Sequence, residues 1–140
     1  MQGRILAIDP GGRRVGLALS DPLRIIASPY ETLLIKGNED AIRQILAVIE
    51  KEQVTEIVVG LPMRPGSQKS EQTKRVETFI AELKAKVTQP VFIIDESYSS
   101  VEAEESLHQM GKKVGQDKGA VDRIAAAIIL KHHLTETQGY

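Results

Sequence analysis

Three acidic positions far apart in the chain each stand where an element of regular structure should begin or end: Asp9, the pair Asp95-Glu96, and Asp122. Asp9 closes the apolar run Ile5 to Ile8 just before Pro10-Gly11-Gly12, which cannot continue a strand. A carboxylate so placed is held by a rigid strand while its tip reaches the rim of a sheet. Glu96, or its neighbour Asp95, follows the run Val91-Phe92-Ile93-Ile94 in the same manner. Asp122 falls in the first turn of a last helical stretch, where Ala125 and Ala126 are small enough to let the backbone approach a sheet closely. Each acid alone has an ordinary explanation, since Asp beside Gly and Pro bonds its own turn and acids commonly flank helix starts. Brought together they would repel one another unless a cation sat among them. Oxygen ligands without His or Cys select Mg²⁺ or Mn²⁺. Two such ions roughly 4 Å apart clamp the attacking and leaving oxygens of a phosphodiester. The chemistry to expect is metal-assisted hydrolysis of a nucleic-acid backbone, with Asp9, Glu96 or its neighbour Asp95, and Asp122 as ligands and water as the nucleophile.

The basic residues fall near the same points. Arg13 and Arg14 follow Asp9; Arg64, Lys69, Lys74 and Arg75 surround a loop after Gly60; Lys112, Lys113, Lys118 and Arg123 bracket Asp122. If the three groups share one rim they offer phosphate contacts with little reading of bases. Scattered, they are an ordinary solvated surface.

The elements that must position these residues can be read from periodicity. Ile5 to Ile8 and Val15 to Leu19 are two strands joined by the glycine turn, and Arg24 to Leu34, rich in Ile, Tyr and Thr, is a third with Pro29 near an edge. Asn38 is expected to cap a helix reaching about Glu52, with Ile42, Ile45, Leu46 and Ile49 at helical spacing. Val54 to Gly60 reads as a strand covered on both sides. A loop from Met63 to Ser70 precedes a helix from about Glu71 to Lys86, and Pro90 to Asp95 forms the last strand. Ser99 and Glu102 make a capping box for a helix to about Met110. The segment Gly111 to Gly119 is expected to be irregular, a final helix runs from about Ala120 to Leu134, and Thr135 to Tyr140 is a frayed tail. The order β, β, β, α, β, α, β, α, α predicts an α/β fold: a five-stranded mixed sheet, a three-strand meander plus two parallel strands, with helices on both faces. Open α/β sheets place their sites at the carboxyl ends of parallel strands, and Asp9, the Gly60 loop and Asp95-Glu96 all arrive there.

With 140 residues, 41% of them hydrophobic, the chain suits one domain, residues 1–140. The formal net charge of −1 sets it apart from strongly basic nucleic-acid binders, so a polyanion must be met by local cations or bound metal. The absence of cysteine excludes disulfides, thiolate metal sites and a cysteine nucleophile. No apolar stretch approaches the ~18 residues of a membrane span, and the expected location is cytoplasmic. His132 and His133 point to different sides of a helix and are expected at the surface.

The series Asp9-Pro10-Gly11-Gly12-Arg13-Arg14-Val15-Gly16-Leu17-Ala18-Leu19-Ser20-Asp21, Val59-Gly60-Leu61-Pro62, Asp95-Glu96 and Lys118-Gly119-Ala120-Val121-Asp122, with Ala125-Ala126 after it, resembles the motifs of the YqgF family of RNase H-like proteins. Its members are described as Holliday junction resolvases and as nucleases maturing the 5′ end of pre-16S rRNA. The resemblance spans nearly the whole chain in order. It implies the ribonuclease H-like fold, metal-binding acids at Asp9, Glu96 and Asp122, and basic positions at Arg14 and Lys118. It also implies pre-rRNA or branched DNA as substrate, with ribosomal particles as a further partner, for a monomer or homodimer. Two departures stand out. The family usually has an arginine where this chain has Ser97, and Arg64-Pro65 replaces neutral or acidic residues. Both bear on substrate affinity and efficiency more than on reaction class.

Two other readings compete. A strand, Asp-x-Gly turn and strand also open the kinases and ATPases related to actin, but those need two facing domains. The run Gly66-Ser67-Gln68-Lys69-Ser70 lacks the glycine before lysine that a phosphate-binding loop requires. The remaining alternative is a nucleic-acid or ribosome-assembly binding module that keeps the fold without turnover.

Overall fold

The computed structural model describes residues 3–61, 71–95 and 118–138. Strands β1 (Arg4–Pro10), β2 (Arg14–Ser20) and β3 (Ala27–Leu34) come first, then helix α1 (Asn38–Glu52), β4 (Val54–Leu61), α2 (Glu71–Lys86), β5 (Val91–Asp95) and α3 (Lys118–Gln138). The five strands form one sheet in the order β3-β2-β1-β4-β5. β1, β2 and β3 pair antiparallel, and β4 and β5 add in parallel beside β1, which is the predicted meander plus two. The helix predicted over 99–110 lies outside the described residues.

Alternation explains why the central strands read as unbroken apolar runs. In β1, Leu6 and Ile8 join a core cluster with α1 and α2, whereas Ile5 and Ala7 join a second cluster under α3. The sheet is thus sandwiched: Ile57 and Val59 of β4 face one layer and Val58 the other. At the sheet edge, Phe92 and Ile93 of β5 are 44% and 48% exposed despite belonging to an apolar run. On α1, Ala41, Ile42, Ile45, Val48 and Ile49 are buried, the i, i+1, i+4, i+7, i+8 stripe of an amphipathic helix. Tyr30 ties β3 to this layer, its hydroxyl donating to Glu52 Oε2 at 2.8 Å. Burial and that carboxylate push the phenol up to about 12.

Several boundaries differ from expectation; β1 continues through Pro10, which still pairs with Val15 because its ring lacks only the N–H donor. The N-cap of α1 is Gly37, with no side-chain cap, and Asn38 is already the first helical residue. β3 begins at Ala27, because Asp21 Oδ1 accepts hydrogen bonds from the Ile25 and Ile26 amides, both at 2.8 Å, and holds the preceding residues in a turn. α3 starts at Lys118 and continues to Gln138, so residues expected to fray are helical; the Thr135 hydroxyl donates to the Lys131 carbonyl within it.

Candidate functional site

The site is built around a cross-strand pair. Asp9 of β1 lies directly opposite Gly16 of β2, and both alternate in phase with Ile5, Ala7 and Ala18, the residues packed under α3. Asp9 therefore belongs to the α3 face. Gly16 is where that helix touches down: a Cβ on it would fall 2.1 Å from the Asp122 carbonyl oxygen and 3.0 Å from the Asp122 Cβ. Only glycine admits so close an approach. Ala125 and Ala126, both fully buried, keep the next turn of α3 equally low on the sheet. Asp122, far from Asp9 in sequence, is thereby brought to the neighbouring position. On the other flank Ile8 pairs with Val59, which leaves Gly60 as the next residue of β4. The turn that follows Asp9 has its own requirement, for a Cβ on Gly11 would lie 2.3 Å from the Arg14 carbonyl oxygen.

Positive charge stands beside the acids. Arg14 Nε donates to Asp122 Oδ2 at 2.7 Å, with the two side chains 40% and 21% exposed. An ion pair this open to water contributes at most about 1 kcal/mol. Its main effect is to hold a guanidinium next to the carboxylates. A second anchor for α3 is Thr32 of β3, in register with Gly16. Its hydroxyl donates to the Gly119 carbonyl at 2.7 Å and accepts from Arg123 Nη1 at 3.1 Å. Thr32, Gly16 and Asp9 thus lie in one row across the sheet, with the first turn of α3 above them. Nothing in the sequence around Thr32 marks it, whereas a glycine inside the β-rich run Val15 to Leu19 is itself a sign of close backbone approach.

Other expected site residues are placed differently. Asp95, one of the two acids considered at the end of β5, alternates in phase with Val91, which packs on the α1 and α2 layer, while Ile94 packs under α3. Asp95 is thus on the opposite face of the sheet from Asp9. Glu96 lies outside the described residues, as do Arg64, Lys69, Lys112 and Lys113 and the side chain of Lys118. Among the described residues no three His, Asp or Glu come together. Arg13 is exposed beside the turn, Arg14 pairs with Asp122, and Arg123 donates to Thr32. Lys74 and Arg75 are not grouped there, because α2 packs on the face away from Asp9. His133 corrects the expectation of a surface residue: it is 4% exposed, and its Nε2 lies 2.8 Å from Glu56 Oε2. The i, i+3, i+4, i+7 positions Ala126, Ile129, Leu130 and His133 form one stripe, and that stripe faces the sheet. His132 is exposed. No helix among the described residues is long and apolar enough to cross a membrane.

The architecture is that of the RNase H-like resolvases. It superposes on Thermus thermophilus RuvC in complex with a Holliday junction substrate with a TM-score of 0.62, over 98% of this chain and 96% of that one, at 15% identity. The Fowlpox virus resolvase bound to Holliday junction DNA gives 0.58 over 96% and 98%, at 10% identity. Within that class the chain belongs to the RuvX family, described as Holliday junction resolvase, whose sequence pattern matches residues 3–136. A Roseiflexus protein named "Putative pre-16S rRNA nuclease" is 39% identical over 132 residues, 94% of each chain. A Koribacter versatilis protein of the same name is 41% identical over 134 residues, covering 96% of this chain and 88% of its own.

Proposed function

We propose that the chain is a metal-dependent nuclease that hydrolyses phosphodiester bonds in structured nucleic acid, with the 5′ end of a 16S rRNA precursor as the favoured substrate over branched DNA. The observation that carries the reading is the Asp9–Gly16–Asp122 contact, a glycine that exists to bring one carboxylate residue against another. The preference for RNA rests on the names of relatives near 40% identity over almost the full chain, whereas the family description and a fold likeness at 10–15% identity speak for branched DNA.

Asp9 and Asp122 supply oxygen donors only, which fits Mg²⁺ or Mn²⁺ and not a soft metal. Glu96 is the third ligand in this reading, the position at which the family resemblance implies one. Held by these acids, such ions would supply an activated water and charge stabilisation at the phosphodiester. Arg14 then turns from Asp122 to the substrate phosphate, and Arg13, Arg123 and Lys118 hold the flanking backbone.

The experiment is cleavage of a precursor-rRNA fragment, single-stranded RNA and a four-way DNA junction with Mg²⁺, Mn²⁺ or chelator, alongside Asp9→Asn. Cleavage of the rRNA fragment that chelator and Asp9→Asn both abolish is the expected result. Cleavage indifferent to either would sink the proposal and point to a contaminating nuclease. Binding without cleavage favours the second reading, a binding module on the same fold, for which the Arg14–Asp122 pair and Ser97 in place of the family's arginine both speak.

A further inference from the structure

We infer that a cavity on the opposite side of the β1–β2 turn from Asp9 receives a single unstacked nucleobase of the bound strand. The inference rests on the nucleic-acid substrate proposed above and adds a specificity pocket to it. The cavity, about 220 Å³, lies between that turn and the first turns of α1 and α2. Its floor is apolar and buried, formed by Val15, Ala41, Val76 and Phe79. Its mouth carries Asn38, Gln72 and Arg75. Clefts for drug-sized ligands span roughly 300–1,000 Å³, so this one suits one planar ring system and not a whole nucleotide cofactor. An apolar slot with amides at its rim is how proteins read a base taken out of its stack: the ring faces meet apolar surface, and the edge meets side-chain donors and acceptors. The Asn and Gln amides each offer both kinds of group, and Arg75 can take the adjoining phosphate. None of these three side chains has a hydrogen bond or ion pair among the described residues, so all are available to a ligand.

Position ties the cavity to the site. Pro10, which follows Asp9 in β1, and Gly11 and Gly12 form its wall, so the turn separates the cavity on one side from Asp9 and Asp122 on the other. A strand with one phosphate at Asp9 crosses this turn and sets a base only one or two nucleotides away over the cavity. Gly12 provides a means to block it, since a Cβ there meets nothing within 4 Å and its backbone is not left-handed.

The test has two arms. In the first, ¹H–¹⁵N spectra of the protein are titrated with adenosine, uridine and ribose 5-phosphate. Saturable shifts at Ala41, Gln72 and Val76 with a nucleoside, absent with ribose 5-phosphate and lost in Gly12→Leu, support the pocket. Equal shifts with ribose 5-phosphate, or none with either nucleoside at millimolar concentration, overturn it. In the second, a stem–loop RNA with a fixed overhang carries one abasic nucleotide stepped along the overhang. Base stacking losses predict that one position weakens binding about tenfold, and that Gly12→Leu and Gln72→Ala erase the difference. A uniform response overturns the pocket while leaving the nuclease reading intact. A position-specific response from a protein that never cleaves supports the pocket and sinks the nuclease.

Discussion

Asp9 and Gly16 face each other across the β1–β2 ladder, and the space a side chain on Gly16 would need is occupied by the Asp122 carbonyl, 2.1 Å from the ideal Cβ position. The distance between two carboxylate-bearing elements is therefore set by a residue that has no functional group at all. The same contact fixes the height of α3 above the sheet, with Thr32 on the neighbouring strand fixing its lateral position.

Gly16→Ala tests this directly. The added methyl cannot fit without lifting the first turn of α3, and overpacking of this kind costs about 1–3 kcal/mol. Under the proposed function the larger effect falls on the chemistry, because displacing Asp122 by about 1 Å is enough to reduce turnover on the order of 100-fold. Thermal melting and kcat measured together should show a modest fall in one and a large fall in the other. A Gly16→Ala protein with undiminished kcat would mean that the approach of Asp122 to Asp9 is irrelevant to activity.

Thr32→Val removes a hydroxyl while keeping the shape. It leaves the Gly119 carbonyl and the Arg123 guanidinium without that partner, at a cost of about 1–2 kcal/mol. The loss should concentrate at the start of α3. Hydrogen exchange at the amides of 120–124 should quicken while those of β1 and β4 hold their protection, and kcat should fall more than substrate binding. Uniform faster exchange would instead make Thr32 a general stabiliser with no special bearing on the site.

Much of this arrangement could be read from the residues. The order of elements, the meander, the parallel addition of β4 and β5 and the placing of Asp9 at a strand end all follow from runs of apolar residues and the turns between them. The role of Gly16 was also legible, because a glycine inside a β-rich run signals close approach, though what approaches it is a helix more than 100 residues later in the chain. Thr32 was not, since its partners Gly119 and Arg123 lie 87 and 91 residues away in the chain and a threonine in a strand is ordinary. His133 lay on the apolar stripe of α3 in the sequence itself. Its acid partner on β4 was invisible, and without one a surface histidine is the natural expectation. The separation of Asp95 from Asp9 follows from strand alternation once β5 and its packing on each side are known.

The turn before β3 should make stability sensitive to acid. The Asp21 carboxyl is held below its ordinary value, chiefly by the hydrogen bond from the Ile26 amide, with Ile25 adding to it. A carboxyl whose folded pKa is depressed contributes stability that is present above the unfolded pKa, about 4, and is lost as pH falls through the folded one. Urea midpoints for wild type and Asp21→Asn should therefore differ most above about pH 4 and converge below it. Asp40, lowered mainly by the Lys36 amide, should behave in the same way. A gap that stays constant down to pH 2 would show that the Asp21 charge contributes nothing.

The far end of α3 offers the opposite contrast. Glu56 accepts from Arg24 Nη1 at 3.3 Å and lies 2.8 Å from His133 Nε2, with all three side chains no more than 16% exposed. Phe92 covers the imidazole, its ring centroid 5.3 Å away. Removing one member of a shielded hydrogen-bonded network strands the others, so Glu56→Ala should cost about 2–3 kcal/mol. His133 is eleven residues beyond Asp122, about 16 Å along the helix axis at 1.5 Å per residue. The substitution should therefore lower the melting temperature while leaving kcat per folded molecule unchanged, the reverse of Gly16→Ala. A cycle of Glu56→Gln and His133→Gln should give a coupling of at least about 0.5 kcal/mol. If Glu56→Ala instead reduced kcat without loss of stability, α3 would be transmitting changes along its length, and its two ends could not be treated as separate devices.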